Sequence, residues 1–195
     1  MGRTPQFSDT QILDATTAHV ATHGPKASVS GVARMIGAPS GSIYYRFANR
    51  DALVATAWLR ALREFQRGFL AALDDTDVDA AAVAAATHVP RWCGQALDQA
   101  ILLHRYRLED LVEAWPEALV PGRATVNRDL DAALRRHARA RYGSSAGDAL
   151  DRTRFALVDV PGAAVRRFLD RRHAPPPWSI DAVGVAALAI LESAR

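Results

Sequence analysis

Apolar positions recur at spacings of three and four along most of the chain, and turn residues cut that pattern into three short helices followed by longer ones. Ser8 stands where an N-cap belongs, Gln11 completes a capping box, and Phe7 with Ile12 forms a hydrophobic staple. The first helix runs to about His23, where Gly24-Pro25 stops it. Ser28 caps a short second helix carrying Val29, Val32, Ala33 and Ile36. Gly37-Ala38-Pro39 reads as a turn, and a third short helix covers about Ser40 to Arg46. Asn49 caps a long fourth helix that reaches about Leu73, with Asp51 in its first turn and Asp74-Asp75-Thr76-Asp77 at its end.

A fifth helix is expected from about Asp79 to Leu97, kinked near Pro90, and a sixth from about Asp98 to Ala114. Trp115-Pro116 to Pro121-Gly122 is a connector, and the next helix spans about Arg123 to Tyr142. Ser145 and Asp148 form a capping-box pattern that opens a long helix towards His173, which Pro161-Gly162 must kink or split. Ala174-Pro175-Pro176-Pro177 is a stiff linker; Ser179 caps the last helix, with Trp178 and Val183 as its staple. The layout predicts an all-α fold. A three-helix helix-turn-helix domain occupies residues 1–52, and a larger C-terminal helical domain occupies residues 53–195.

Composition supports that layout. Of 195 residues, 49% are hydrophobic and 23% charged, enough for a core and too apolar for disorder. The one cysteine, Cys93, excludes an internal disulfide framework and suits a reducing cytoplasm. Met1-Gly2-Arg3-Thr4-Pro5 does not resemble a signal peptide, and the apolar run Val183 to Leu191 is far too short to span a membrane. The net charge of +3 permits nucleic acid without demanding it. Before residue 61 the cations Arg3, Lys26, Arg34, Arg46, Arg50 and Arg60 face only Asp9, Asp14 and Asp51, so the N-terminal end is the basic one.

The third helix carries the chemistry. Ile43 and Phe47 can reach the core that Ala33 and Ile36 face, and Gly37 allows a close turn. Gly41 and Ser42 keep the start of that helix small, while Tyr44, Tyr45 and Arg46 offer two phenols and a guanidinium for phosphates and base edges. Ile12-Leu13-Asp14-Ala15, Gly24, Ser28-Val29, Val32-Ala33, Gly37 and Gly41-Ser42-Ile43-Tyr44-Tyr45-Arg46-Phe47, with Arg50-Asp51-Ala52-Leu53, resemble the N-terminal signature of TetR-type repressors. The resemblance covers about residues 8 to 60. It implies that Ser28 touches phosphate at the head of the second helix. Ser40, Ser42, Tyr45 and Arg46 then form the exposed face of the recognition helix, Tyr44 reaches the DNA backbone, and Arg50 grips phosphate. Three positions depart from the pattern. Pro39-Ser40 shifts the start of the third helix, Gly31 costs about 1 kcal/mol of helix preference relative to alanine, and His19-Val20 thin the small core of the head.

The remaining helices resemble the family's ligand-binding and dimerisation domain in layout alone. The last two long ones carry more apolar positions than one stripe requires, which predicts a homodimer built as a four-helix interface. A small-molecule effector is expected among the middle helices, with Trp92, Cys93, His104, Tyr106, Trp115 and Phe155 as candidate wall residues. A dimeric helical ligand-binding or scaffold protein with a degenerate head is the alternative. No catalytic constellation, cofactor or metal is expected: His19 and His23 lack further ligand-spaced partners, and Glu109, Asp110 and Glu113 read as a wet helix face. The run Arg135, Arg136, His137, Arg139 and Arg141 spreads around its helix, as a solvated surface does.

Overall fold

The computed structural model describes residues 7–107, 111 and 126–193. Its regular elements are α1 (Asp9–His23), a tight 3-10 turn (Gly24–Lys26), α2 (Val29–Ile36), α3 (Ser40–Tyr44), α4 (Arg50–Ala72), α5 (Val78–Gln95), α6 (Leu97–Arg105), α7 (Arg128–Tyr142), α8 (Asp148–Arg154), a wide π-type turn (Phe155–Asp159), α9 (Val160–Asp170) and α10 (Pro177–Glu192). No strand occurs among the described residues, so the all-α expectation holds. Two compact units result: Met1–Leu62 with Asp98–Val120, and Arg63–Leu97 with Pro121–Arg195. The sixth helix is shorter than expected at its C-terminal end; most of the remaining expected span, the connector after it and the start of the next helix lie outside the described residues.

In the first unit, the capping box at Ser8 forms. Its hydroxyl accepts from the Gln11 amide at 3.2 Å, and the Gln11 side chain accepts from the Ser8 amide at 2.9 Å. One face of α1 then buries Ile12, Leu13, Thr16, His19 and Val20. Thr16 and Thr17 sit inside without cost because their hydroxyls donate to the carbonyls of Ile12 and Leu13, at 2.7 and 2.9 Å. Ser28 caps α2 by accepting from the Gly31 amide at 3.1 Å. Gly37 then turns the chain with φ +68°, a conformation that suits glycine, and α2 is closed by a bond from the Ala38 amide to the Ala33 carbonyl at 2.9 Å. α3 starts at Ser40 after an extended Pro39, and Ser42 donates its hydroxyl to the Pro39 carbonyl at 2.7 Å. It stops two residues sooner than expected because the turn tightens, the Arg46 amide reaching back only to the Ile43 carbonyl at 3.0 Å. Asn49 caps α4 as expected, accepting from the Ala52 amide at 2.8 Å.

Gly31 and His19, two departures from the sequence pattern, explain each other. The His19 ring lies against the Gly31 backbone, where a Cβ would collide with its Nε2 and Cε1. The larger ring on α1 is admitted by the missing side chain on α2, so the small core is filled rather than thinned. His19 also stacks on His23 at 4.2 Å between ring centroids, and its own Nδ1 has no hydrogen-bond partner.

The second unit uses the same device. His88 packs over Gly68, bonds through Nε2 to the Phe65 carbonyl at 3.0 Å, and joins Phe65, Phe69 and Trp92 in an aromatic cluster between α4 and α5. α10 lies close against α5 because Gly184 presents no side chain there, a Cβ at that point being 3.1 Å from Thr87 and 3.3 Å from Val83. Pro90 is contained within α5. The basic run on α7 is not a patch. His137 is buried, the Arg141 side chain is 2% exposed and paired with Asp79, and Arg135 and Arg139 hold Ser145.

Two expected caps fall elsewhere. Ser145 does not cap a helix, because its oxygens are taken by those two arginines; α8 starts instead at Asp148 after Gly147, whose φ is +57°. The last helix starts at Pro177, two residues ahead of the expected cap, and Ser179 sits inside it, donating to the Pro176 carbonyl at 2.6 Å. Trp178 is 60% exposed, so it does not staple onto buried Val183. The expected interruption near Pro161 takes the form of the wide turn: the Val160 amide reaches five residues back to the Phe155 carbonyl. Thr153, Leu157, Pro161, Val165 and Leu169 are buried on either side of it.

Gly31→Ala should destabilise the chain by about 1–2 kcal/mol net, an overpacking cost of about 2–3 kcal/mol outweighing a helix-preference gain of about 1 kcal/mol. In a His19→Ala background the same change should be neutral or stabilising, which a double-mutant cycle by urea unfolding would show. Burial pushes His19, His88 and His137 below the ordinary imidazole value of 6.5. The unfolded chain therefore binds more protons once the pH drops below 6.5. Stability should be full above that value and fall as the pH passes down to the depressed folded values, by up to about 1.4 kcal/mol per pH unit for each histidine. Denaturation midpoints measured between pH 7.5 and 5 would check this.

Candidate nucleic-acid interface

α3 is five residues long, and its two sides differ sharply. Ile43 is completely buried, while Tyr44 is 53% and Tyr45 92% exposed. A phenol ring as exposed as that of Tyr45 rests on no part of its own protein and is free to meet a partner. Gly41 beside it is open, so nothing obstructs a close approach to that end of the helix. Ser40 and Ser42 are half-buried; the Ser42 hydroxyl is spent on the Pro39 carbonyl but keeps its acceptor capacity. Ser28 is exposed at the head of α2, its hydroxyl shared between the Gly31 amide and the Ser30 hydroxyl. Phe47 is half-buried.

The two arginines expected at the interface are engaged inside the unit. Arg46 pairs with Asp9 at 2.9 Å, and its side chain is only 20% exposed. This ties the segment just after α3 to the first turn of α1. Arg50 donates from Nε to the Ala27 carbonyl at 2.7 Å, from Nη1 to Asp51 at 2.7 Å, and from Nη2 to the Pro25 carbonyl at 3.2 Å and the Tyr106 hydroxyl at 2.9 Å. Burial works against its charge, but the bonds to Tyr106 and Asp51 outweigh that and hold the guanidinium above its ordinary pKa. A guanidinium has five N–H donors, so four are used and one remains for anything outside.

Sequence reasoning passed over the cations that do face outward. Lys26, two residues ahead of the α2 cap, and Arg34, on the polar face of α2 four residues after exposed Ser30, are both exposed. The legible signal was that Ser30 and Arg34 share one helical face opposite Val29, Val32 and Ala33.

The candidate effector residues divide between the units. His104 on α6 and Tyr106 just after it belong to the first; Trp92, Cys93 and Phe155 belong to the second. Trp92 is buried with its ring edge 5.2 Å from Phe65 between centroids, and its indole N–H has no hydrogen-bond partner. Burial raises the Cys93 thiol to about 12, which rules it out as a ready nucleophile. Phe155 is half exposed and lines an open hollow of about 660 Å³ with Asp148, Asp151, Arg152, Arg154 and Asp159. Trp115, like Glu109, Asp110 and Glu113, lies outside the described residues. No group of three or more metal-ligating side chains is found among the described residues, and none of their helices is long and apolar enough to cross a membrane.

Residues 12–57 match the family of bacterial regulatory proteins called the tetR family. No functionally curated protein is similar to the chain in sequence. Solved structures share its fold over nearly the whole length. The fatty acid degradation regulator FadR from Bacillus halodurans superposes with a TM-score of 0.74 at 17% identity, covering 100% of this chain and 99% of its own. PfmR, a TetR family transcriptional regulator from Thermus thermophilus, gives 0.72 at 15% identity, with 96% and 97% covered. The transcriptional regulator FadR from Bacillus subtilis, solved in complex with stearoyl-CoA, gives 0.70 at 13% identity, with 95% and 98% covered. The head thus matches the tetR family in sequence over residues 12–57, and the chain shares the fold of these regulators while exposing two tyrosines on α3.

Proposed function

We propose that the chain is a cytoplasmic, dimeric repressor that holds a near-palindromic operator and is released from it by a small-molecule effector. The observation that carries the DNA side is the outward pair Tyr44-Tyr45 on a helix whose other side is anchored by fully buried Ile43. Ser28, Ser40, Ser42, Tyr44 and Tyr45 would supply the contacts nearest the DNA. Arg46 and Arg50 would contribute whatever their internal bonds leave free. Lys26 and Arg34 would add the long-range attraction to phosphate. Residues 1–52 would act as the reading head and 53–195 as the effector and dimer domain.

The dimer reading rests on α9 and α10. Trp178, Ala182, Val185 and Ala189 are exposed at helical spacing along one side of α10, with Val185 70% exposed. Beside them a groove of about 390 Å³ runs between α9 and α10, lined by Val160, Ala163, Phe168 and Trp178. Such a stripe suits a second copy packed across a two-fold axis, which sets two heads to meet successive major grooves roughly 34–36 Å apart. For the effector, the stearoyl-CoA bound by the Bacillus subtilis FadR supports a ligand with an apolar body. Of the candidate walls, Trp92, Cys93 and Phe155 fall in the second unit and stay as the proposed lining. The unpartnered Trp92 N–H suits a ligand that offers one acceptor.

Selection from random DNA should enrich a palindrome, with affinity for it falling steeply as salt rises. Tyr45→Ala should weaken that site by about tenfold or more and random DNA by less, since a specific base contact is worth about 1–3 kcal/mol. A well-folded protein that enriches no sequence would favour a scaffold over a regulator. Val185→Arg should halve the mass seen by light scattering at micromolar concentration while leaving the helical circular dichroism unchanged. An unaltered dimer would remove α10 from the interface.

A further inference from the structure

The end of α6 touches the turn between α1 and α2 by two routes. The Arg105 guanidinium lies directly over Gly24, leaving no room for a Cβ. Tyr106, the next residue, is fixed at both ends: its carbonyl accepts from the Trp58 indole of α4 at 2.9 Å, and its hydroxyl accepts from Arg50 at 2.9 Å. The same Arg50 fork holds the carbonyls of Pro25 and Ala27. Ala27 immediately precedes Ser28, whose cap sets the start of α2. α6 and the head fall in one compact unit.

We propose that Tyr106 is a positioning residue that sets the seating of α2 and α3 through its hydrogen bond to Arg50. The consequence for DNA binding rests on the repressor reading above; the mechanical coupling does not. A guanidinium is a rigid planar fork, so pulling one arm turns the others. Displacing the Tyr106 hydroxyl by about 1 Å takes a 2.9 Å bond beyond hydrogen-bonding range. Arg50 then reorients, and the carbonyls of Pro25 and Ala27 lose the group that pins them. The loosened turn carries the Ser28 cap and α2 with it, and α3 follows because it packs on α2. The arrangement also gives Arg50 a main duty inside the protein, in place of the phosphate grip expected from the sequence.

Tyr106→Phe removes only the hydroxyl and tests this. In the DNA-free protein, the amides of Ala27, Gly31 and Val32, which are bonded around the Ser28 cap, should exchange with deuterium about tenfold faster, with those of α5 and α10 unchanged. On the DNA fragment that the wild type selects, affinity should fall about tenfold, and the change should add nothing in an Arg50→Ala background. The slope of affinity against salt should be the same for Arg50→Ala as for the wild type. Unchanged exchange in Tyr106→Phe overturns the coupling. A slope reduced by about one for Arg50→Ala returns Arg50 to a phosphate. If the wild type selects no DNA at all, the repressor reading fails, and the exchange measurement still decides the coupling.

Discussion

A helix of five residues has no stability of its own. Isolated helices shorter than about 12–15 residues are marginal in water even with favourable composition, so α3 exists only because its neighbours hold it. Ile43 inserts fully into the core between α1 and α2, Gly37 lets the chain return at close range, and the Arg46–Asp9 pair ties the far end to α1. The exposed side of α3 is therefore as well placed as these supports make it. By the same dependence, moving a support moves the helix. Tyr44 and Tyr45 are exposed, but their placement is set by other residues, foremost the fully buried Ile43.

The head was legible in the sequence because its signals are local. Ser8 with Gln11, Ser28 with Gly31, Asn49 with Ala52 and Gly37 at the turn each act within three or four residues, and each is found at work. What remained hidden were partners far apart in the chain. Nothing near Arg50 announces Tyr106, 56 positions away, or near Arg46 announces Asp9. Reading both arginines as free cations was reasonable by residue type and incomplete by geometry. The caps assigned to Ser145 and Ser179 failed for a related reason: Arg135 and Arg139 claim the first, and Pro176-Pro177 starts the last helix before the second can act.

The two histidine–glycine pairs show how departures from a pattern can be complementary. Taken singly, Gly31 weakens a helix and His19 puts an imidazole where an apolar side chain would be simpler. Together they fill one volume, and His88 over Gly68 repeats the solution in the other unit. In each case the ring is drier than imidazole prefers and stays neutral more readily, so close packing has been gained by tying the fold to the proton concentration around it.

The wide turn at Phe155–Asp159 solves a problem of angle. Thr153, Leu157, Pro161, Val165 and Leu169 are each four apart, and all are buried. In a regular helix with 3.6 residues per turn, each four-residue step advances about 40° beyond a full turn, so four steps would carry the buried row about 160° around the axis. One extra residue in a single turn takes up about 100° of that drift and keeps both halves facing the same side. The number of residues between Thr153 and Leu169 is thus as much a part of the design as their chemistry. Removing one would leave every side chain in kind yet aim half of the row away from the core.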